Sequence, residues 1–173
     1  MTNWRSKIWP STEWISYTSA SPTERKGATM TDPTFEDWLA IVGGLNSMAA
    51  LMDAREWDRI GDVVLPDARC YGQLGHEAIV ANVLRRALGG CGPTQHLLGN
   101  YDIHVDGDAA TSRSLIRAYH LEAGGEALEE PRTYVWMGVY LDRWRRTGDG
   151  WRMSERTTET NVSVGDASVL QPG

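Results

Sequence analysis

From Phe35 onward apolar residues recur at steps of three and four, through Trp38, Val42, Leu45, Ala49 and Met52. That spacing predicts an amphipathic helix with one broad apolar face. Asp32-Pro33-Thr34 supplies its start, with Asp or Thr to cap the free amides and Pro suited to the first turn. A second helix is expected over residues 56–65, with Trp57, Ile60 and Val64 on one face and Pro66 as its stop. Residues 68–71 read as a short strand. A third helix, over residues 77–88, turns Ile79, Val80, Val83, Leu84 and Ala87 inward and ends at Gly89-Gly90.

After Gly92-Pro93 the period changes from helical to alternating. Residues 95–105 read as a strand, Asp106-Gly107 as a hairpin turn and residues 109–122 as the partner strand. A longer acidic loop opens at Gly124-Gly125. A third long strand follows over residues 132–146, then a Gly148-Asp149-Gly150 turn and a fourth strand over residues 151–162. In the second long strand Ser112, Ser114, Ile116, Ala118 and His120 share one face, and Arg113, Leu115, Arg117 and Tyr119 the other. The third strand is apolar on both faces, Tyr134, Trp136 and Tyr140 alternating with Val135, Met137 and Val139. Helices first and an antiparallel meander afterwards make an α+β fold. Its curved sheet holds the helices inside the curve and packs a second surface outside, a face suited to a homo-dimer or homo-trimer.

Composition narrows the setting. A chain of 173 residues suits one domain, and 41% hydrophobic with 23% charged residues is a globular profile. A net charge of -6 leaves no electrostatic footprint for nucleic acid. Cys70 and Cys91 lack the spacing of a disulfide framework or a zinc site, so two reduced thiols in a cytoplasmic protein are expected. No apolar run approaches the roughly 18 residues needed to cross a bilayer. Residues 1–31 carry Trp4, Trp9 and Trp14 among many Ser and Thr without a period, and are expected to be a disordered extension. The domain is expected over residues 32–162 and a tail over 163–173.

His96 stands in Thr94-Gln95-His96, at the opening of a strand just after the Gly-Pro break, and His120 ends the next strand. His96 is therefore expected at the centre of a buried pocket. His76 and His104 are expected to be exposed. Asp53 falls in the last turn of the first helix, where an unpaired carboxylate opposes the macrodipole by about 0.3–1 kcal/mol.

Four features in this order, Asp53-Ala54-Arg55-Glu56-Trp57-Asp58, Thr94-Gln95-His96, His120 and Asp149-Gly150-Trp151-Arg152, resemble the SnoaL-like branch of the nuclear-transport-factor-2-like superfamily. Within that branch the scytalone dehydratases are the functional relatives. The resemblance covers residues 33–160 and implies a cone-shaped, strongly bent antiparallel sheet packed on three N-terminal helices. It implies a cofactor-free acid/base enzyme, a dehydratase-like lyase or an isomerase, acting on a hydrophobic cyclic or polyketide-like small molecule. Asp53, His96 and His120 are the catalytic candidates it carries over. A carboxylate bonded to one imidazole nitrogen fixes the tautomer and stabilises the cation formed when the other takes a proton. Tyr71 and Tyr140 are candidates to polarise a carbonyl, Trp136 to line an apolar wall, and Asn100 to contact substrate. No metal is expected. Met52 stands where the dehydratases carry a tyrosine, and Gly138 and Tyr140 where they carry Ser and Asn, so the implied chemistry does not extend to their substrate. An epoxide hydrolase-like activity and a non-catalytic binding module are the alternatives.

Overall fold

A computed structural model of the chain describes residues 33–170. The expected extension over residues 1–31 lies outside the described residues. Helix α1 (Phe35–Ala54) begins at Thr34, whose hydroxyl accepts from Asp37 N at 3.1 Å. It buries Ile41, Val42, Leu45, Met48, Leu51 and Met52, while Phe35, expected on that face, is 76% exposed because it precedes the first turn that reaches the sheet. Asp37 fastens this end. Its carboxylate accepts from Trp151 Nε1 at 2.9 Å and pairs with Arg146 at 2.9 Å.

The second expected helix is corrected to a 3-10 helix, Trp57–Asp62, followed directly by β1 (Val64–Cys70). Trp57 and Ile60, three apart, suit the tighter turn, and β-branched Val63 and Val64 favour the strand. Pro66 lies inside β1, in the stretch between Val64 and Arg69 where the pairing to β6 is interrupted and no amide is needed. After β2 (Gln73–Leu74), α2 (His76–Ile79), a π-helical segment (Val80–Leu84) and α3 (Arg85–Leu88) run on as one helix.

The meander comprises β3 (Thr94–Asp106), β4 (Ala109–Leu121), β5 (Thr133–Thr147) and β6 (Gly150–Gly165). The sheet order is β2-β1-β6-β5-β4-β3, antiparallel throughout except for the parallel pair β1 and β6. Asp106 pairs with Ala109, so the hairpin loop is Gly107-Asp108, with Gly107 at φ 59 as the first position of a type II′ turn requires. The concave face carries the core. Ser112, Ser114, Ile116, Ala118 and His120 of β4 are all buried, whereas Arg113, Arg117 and Tyr119 face outward. The expected end of the fourth strand at residue 162 is also corrected. β6 continues to Gly165, Asp166 N bonds Thr133 O at 2.8 Å, and Val169 is buried in a closing 3-10 turn, Ala167–Val169. Among the described residues no helix is long and apolar enough to cross a membrane.

Two of the three register shifts in the meander bring side chains of the site to the interior. In β3 the inward phase runs through His96 and Leu98, shifts between Gly99 and Asp102, and resumes at Tyr101, Ile103 and Val105. In β6 it runs through Trp151 and Met153, shifts opposite Arg143 and Trp144, and resumes at Arg156.

Candidate active site

Hydrogen bonds converge on Asp53 in the last turn of α1. Thr94 Oγ1 donates to Oδ1 at 2.8 Å, the His96 backbone N–H donates to Oδ2 at 2.9 Å, and His96 Nδ1 lies 2.6 Å from Oδ1. The start of β3 is thereby tied to the end of the helix through one carboxylate. An ionised carboxylate only accepts, so Nδ1 carries the hydrogen and Nε2 of the neutral ring carries the lone pair. Burial pushes the Asp53 carboxyl up, but the hydrogen bonds from the His96 ring and backbone, the electrostatic pull of His96 and the Thr94 hydroxyl outweigh it. The net pKa is lowered from 3.8.

Arg55 completes the junction. It caps α1 in the left-handed region at φ 61, and Nη1 donates to Met52 O at 2.9 Å, supplying cationic charge to the helix end. The same Nη1 donates to Thr94 Oγ1 at 2.9 Å and Nη2 to Gly92 O at 2.8 Å. Because the Thr94 oxygen accepts from Arg55, its own hydrogen is left for Asp53.

His120 lies one strand over, its ring centroid 5.5 Å from that of His96 and the planes at 89°. Its Nδ1 is 3.0 Å from Tyr134 O, and a carbonyl can only accept, so this ring also keeps its hydrogen on Nδ1. Burial, aided by the neighbouring His96, lowers the His120 pKa from 6.5 against the raising effect of the Tyr134 carbonyl. His120 is therefore neutral near pH 7, with Nε2 as an acceptor.

Both imidazoles line a cavity of about 230 Å³. Met52 and the π-containing helix, through Val83, Leu84, Ala87 and Leu88, wall one side. Tyr71, Tyr134, Trp136 and Tyr140 wall the other, and Leu170, beyond the expected end of the domain, also contributes. The volume falls below the ~300–1,000 Å³ of pockets for drug-sized ligands, so it suits a molecule of one or two rings. Trp136 is set by its Nε1–H on Thr160 Oγ1 at 2.9 Å and by Tyr140, whose ring lies 5.8 Å away. Burial raises the Tyr140 phenol well above 10, so it stays protonated.

Asn100 is not part of this assembly. It sits exposed in the β3 bulge at φ 53, a backbone conformation Asn tolerates, because the phase shift turns it outward. His76 is half-buried rather than exposed, its Nε2 2.8 Å from Val64 O. His104 is exposed as expected, beside Asp102 at 3.2 Å. Residues not singled out from the sequence complete the site. Thr94 and Arg55 lie within the matched motifs but carried no assigned role. Beneath the phenols, Arg156 pairs with Asp142 through Nε–Oδ1 at 2.7 Å and Nη2–Oδ2 at 2.9 Å, both side chains fully buried. Asp142 shares the parity of Tyr134, Trp136 and Tyr140, and a charge in that row was the available signal. Among the described residues no three His, Cys, Asp or Glu side chains are grouped so as to hold a metal ion.

The profile of the SnoaL-like domain matches residues 33–157. The uncharacterized protein Rv2910c of Mycobacterium tuberculosis is 32% identical over 126 residues, 69% of this chain and 82% of its own. A protein from Novosphingobium aromaticivorans, provisionally named a scytalone dehydratase, superposes with a TM-score of 0.66 at 19% identity, covering 79% of this chain and 93% of that one. The type-3 hexachlorocyclohexane dehydrochlorinase LinA of Novosphingobium barchaimii superposes with a TM-score of 0.61 at 16% identity, covering 80% and 95%. At these identities the structures establish the shared nuclear-transport-factor-2-like fold, one that houses dehydratase and dehydrochlorinase enzymes.

Proposed function

The chain belongs to the SnoaL-like domain family, and from that premise we propose that it is a cofactor-free acid/base enzyme, a dehydratase-like lyase or an isomerase. Its substrate is a small hydrophobic cyclic or polyketide-like molecule. His96 removes a proton from a carbon activated by a neighbouring carbonyl or leaving group, and Asp53 holds the tautomer and stabilises the imidazolium that results. The observation that carries the proposal is the 2.6 Å contact between His96 Nδ1 and Asp53, which leaves Nε2 as the nitrogen free to act at the cavity wall. Once cationic, His96 can return the proton to a leaving group, giving elimination, or to another carbon, giving isomerisation. His120, neutral and accepting through Nε2, suits a substrate hydroxyl.

Two of the superposed proteins carry names for eliminations, a provisionally named dehydratase and a dehydrochlorinase, which supports this reaction class. An epoxide-hydrolase reading needs paired carboxylates around a water, and no carboxylate besides Asp53 meets the cavity's histidines among the described residues. A thermal-shift screen of cyclic ketones, phenols and polyketide-like compounds supplies candidate substrates. Replacing His96 with Ala is then expected to cost on the order of 10²–10⁴ in turnover. A change in affinity alone would mark a binding module.

Assembly is part of the same proposal. Leu97, Tyr119, Val162 and Val164 are exposed on the convex face, beside half-buried Val135 and Met137. They support a homo-dimer or homo-trimer formed through the sheet. Val164→Lys with Tyr119→Lys is expected to give monomers in analytical ultracentrifugation. A cytoplasmic setting is supported by two unpaired thiols, Cys70 and Cys91.

A further inference from the structure

The Asp142–Arg156 ion pair is not accounted for by the dyad. Both side chains have no solvent exposure, and neither belongs to the cavity wall. An ion pair buried this way is seldom the most stabilising choice for its volume, which directs attention to what it holds. It holds the two phenols. The Arg156 guanidinium lies 3.9 Å from the centroid of the Tyr140 ring, and Nη1 lies 3.5 Å from the Tyr71 hydroxyl oxygen.

Tyr71 is unusual in a second, independent way. Its φ is 54 and that of Gly72 is 79, so the pair forms the tight turn between β1 and β2 with a bulky aromatic where Asn, Asp or Gly is the ordinary choice. A left-handed conformation at a non-glycine aromatic persists only where its surroundings over-determine it. Arg156 contributes here too, since its backbone oxygen accepts from Tyr71 N at 3.1 Å. One residue therefore grips Tyr71 by backbone and by side chain.

That grip sets a direction. A guanidinium only donates, so at this contact the Tyr71 oxygen accepts and its hydrogen must go elsewhere. The Tyr140 hydroxyl also bonds Tyr71, in the sense that raises the Tyr140 pKa and makes Tyr140 the donor, so the acceptor left to the Tyr71 hydrogen is Met52 Sδ at 4.0 Å, a thioether, which is a weak acceptor at long range. Met52 and Tyr71 both line the cavity. The phenol is thus a pre-set donor facing a poor stand-in that a ligand oxygen can displace.

We infer that Arg156, held by Asp142, is a positioning residue that fixes the Tyr71 O–H toward the cavity, where it donates to a carbonyl oxygen of a cyclic ligand. This rests on the proposed reaction for its purpose, but it concerns recognition and is tested by binding alone. The probes are 1-indanone and indane, which differ by one carbonyl and are small enough for the cavity, titrated against the full chain by tryptophan fluorescence. One neutral hydrogen bond predicts a preference for 1-indanone on the order of 3- to 10-fold.

Tyr71→Phe, which keeps the ring and its packing, is expected to reduce that ratio to about one while leaving indane affinity unchanged. The paired variant Asp142→Leu with Arg156→Met, which leaves no unpaired buried charge, is expected to reduce it likewise with Tyr71 intact. A purely structural role for the ion pair would weaken both probes equally. The inference is overturned if 1-indanone has no preference in the natural protein, if it fails to bind at millimolar concentration, or if the preference survives in Tyr71→Phe or in the paired variant. His96→Ala separates the two readings. It should preserve the ratio, so loss of the ratio there would move the carbonyl to the dyad and overturn the inference. Unimpaired turnover by His96→Ala would overturn the reaction and leave the binding ratio standing.

Discussion

Replacing Asp53 with Asn changes one atom, and the geometry around that atom determines the result. The His96 backbone N–H, 2.9 Å from Oδ2, cannot reverse its polarity, so the amide oxygen must stay on that side. The amide nitrogen then falls where Oδ1 was, 2.6 Å from His96 Nδ1 and 2.8 Å from Thr94 Oγ1. A donor facing Nδ1 requires Nδ1 to accept, which moves the ring hydrogen to Nε2 and removes the lone pair the reaction needs. The same tautomer inversion in a Ser-His-Asp triad lowers turnover by about 10⁴, and a loss on the order of 10³–10⁴ is expected here. Exchanging charge-assisted hydrogen bonds for neutral ones costs about 1–3 kcal/mol of stability, so the variant should fold but melt several degrees lower. Long-range 15N–1H correlation of the imidazoles reads the tautomer without any substrate. An Nδ1–H tautomer is expected in the natural protein and Nε2–H in Asp53→Asn. Finding Nδ1–H in both would refute the role assigned to the carboxylate.

Further predictions concern the supporting residues. Thr94→Val removes the hydroxyl that joins Asp53 to Arg55 and should cost about 1–2 kcal/mol in urea unfolding, with a smaller loss of turnover than Asp53→Asn. The His120 pKa is depressed from 6.5 in the fold, so protons bind preferentially to the unfolded chain. The contribution is present above 6.5 and lost as pH falls below it, so the decline in melting temperature from pH 7 to about 5.5 should be shallower in His120→Asn. Gly165→Ala should destabilise by about 2 kcal/mol or more, since φ is 98 and a Cβ would collide with the Thr133 carbonyl oxygen. Thermal melts check it.

Asp53 and His96, which the structure joins by hydrogen bonds, are legible in the sequence because they sit at element boundaries, where motif and punctuation are strongest. Asp53 ends a periodic helix, and His96 opens a strand after Gly92-Pro93. His120 and its row followed from unbroken alternation in β4. Where alternation breaks, the reading fails. The bulge between Gly99 and Asp102 turned Asn100 outward, and the shift before Arg156 brought an arginine inward that no steady period places there. Bulges are set by cross-strand register, which a single strand's pattern does not carry. The π segment, Val80–Leu84, was hidden because one added residue per turn barely disturbs a helical pattern five residues long. Over residues 56–65 Trp57, Ile60 and Val64 fit a helical step, while the local backbone adopts a 3-10 turn and a strand.

Base action by His96 can be measured directly as exchange of carbon-bound hydrogen for solvent deuterium. A panel of small cyclic ketones, 1-indanone among them, is incubated with the protein in deuterium oxide, and label next to the carbonyl is followed by NMR. The natural protein should accelerate label uptake into at least one ketone above the buffer rate, and His96→Ala should return it to that rate. Equal uptake with both proteins, or none above buffer across the panel, would contradict His96 as the base.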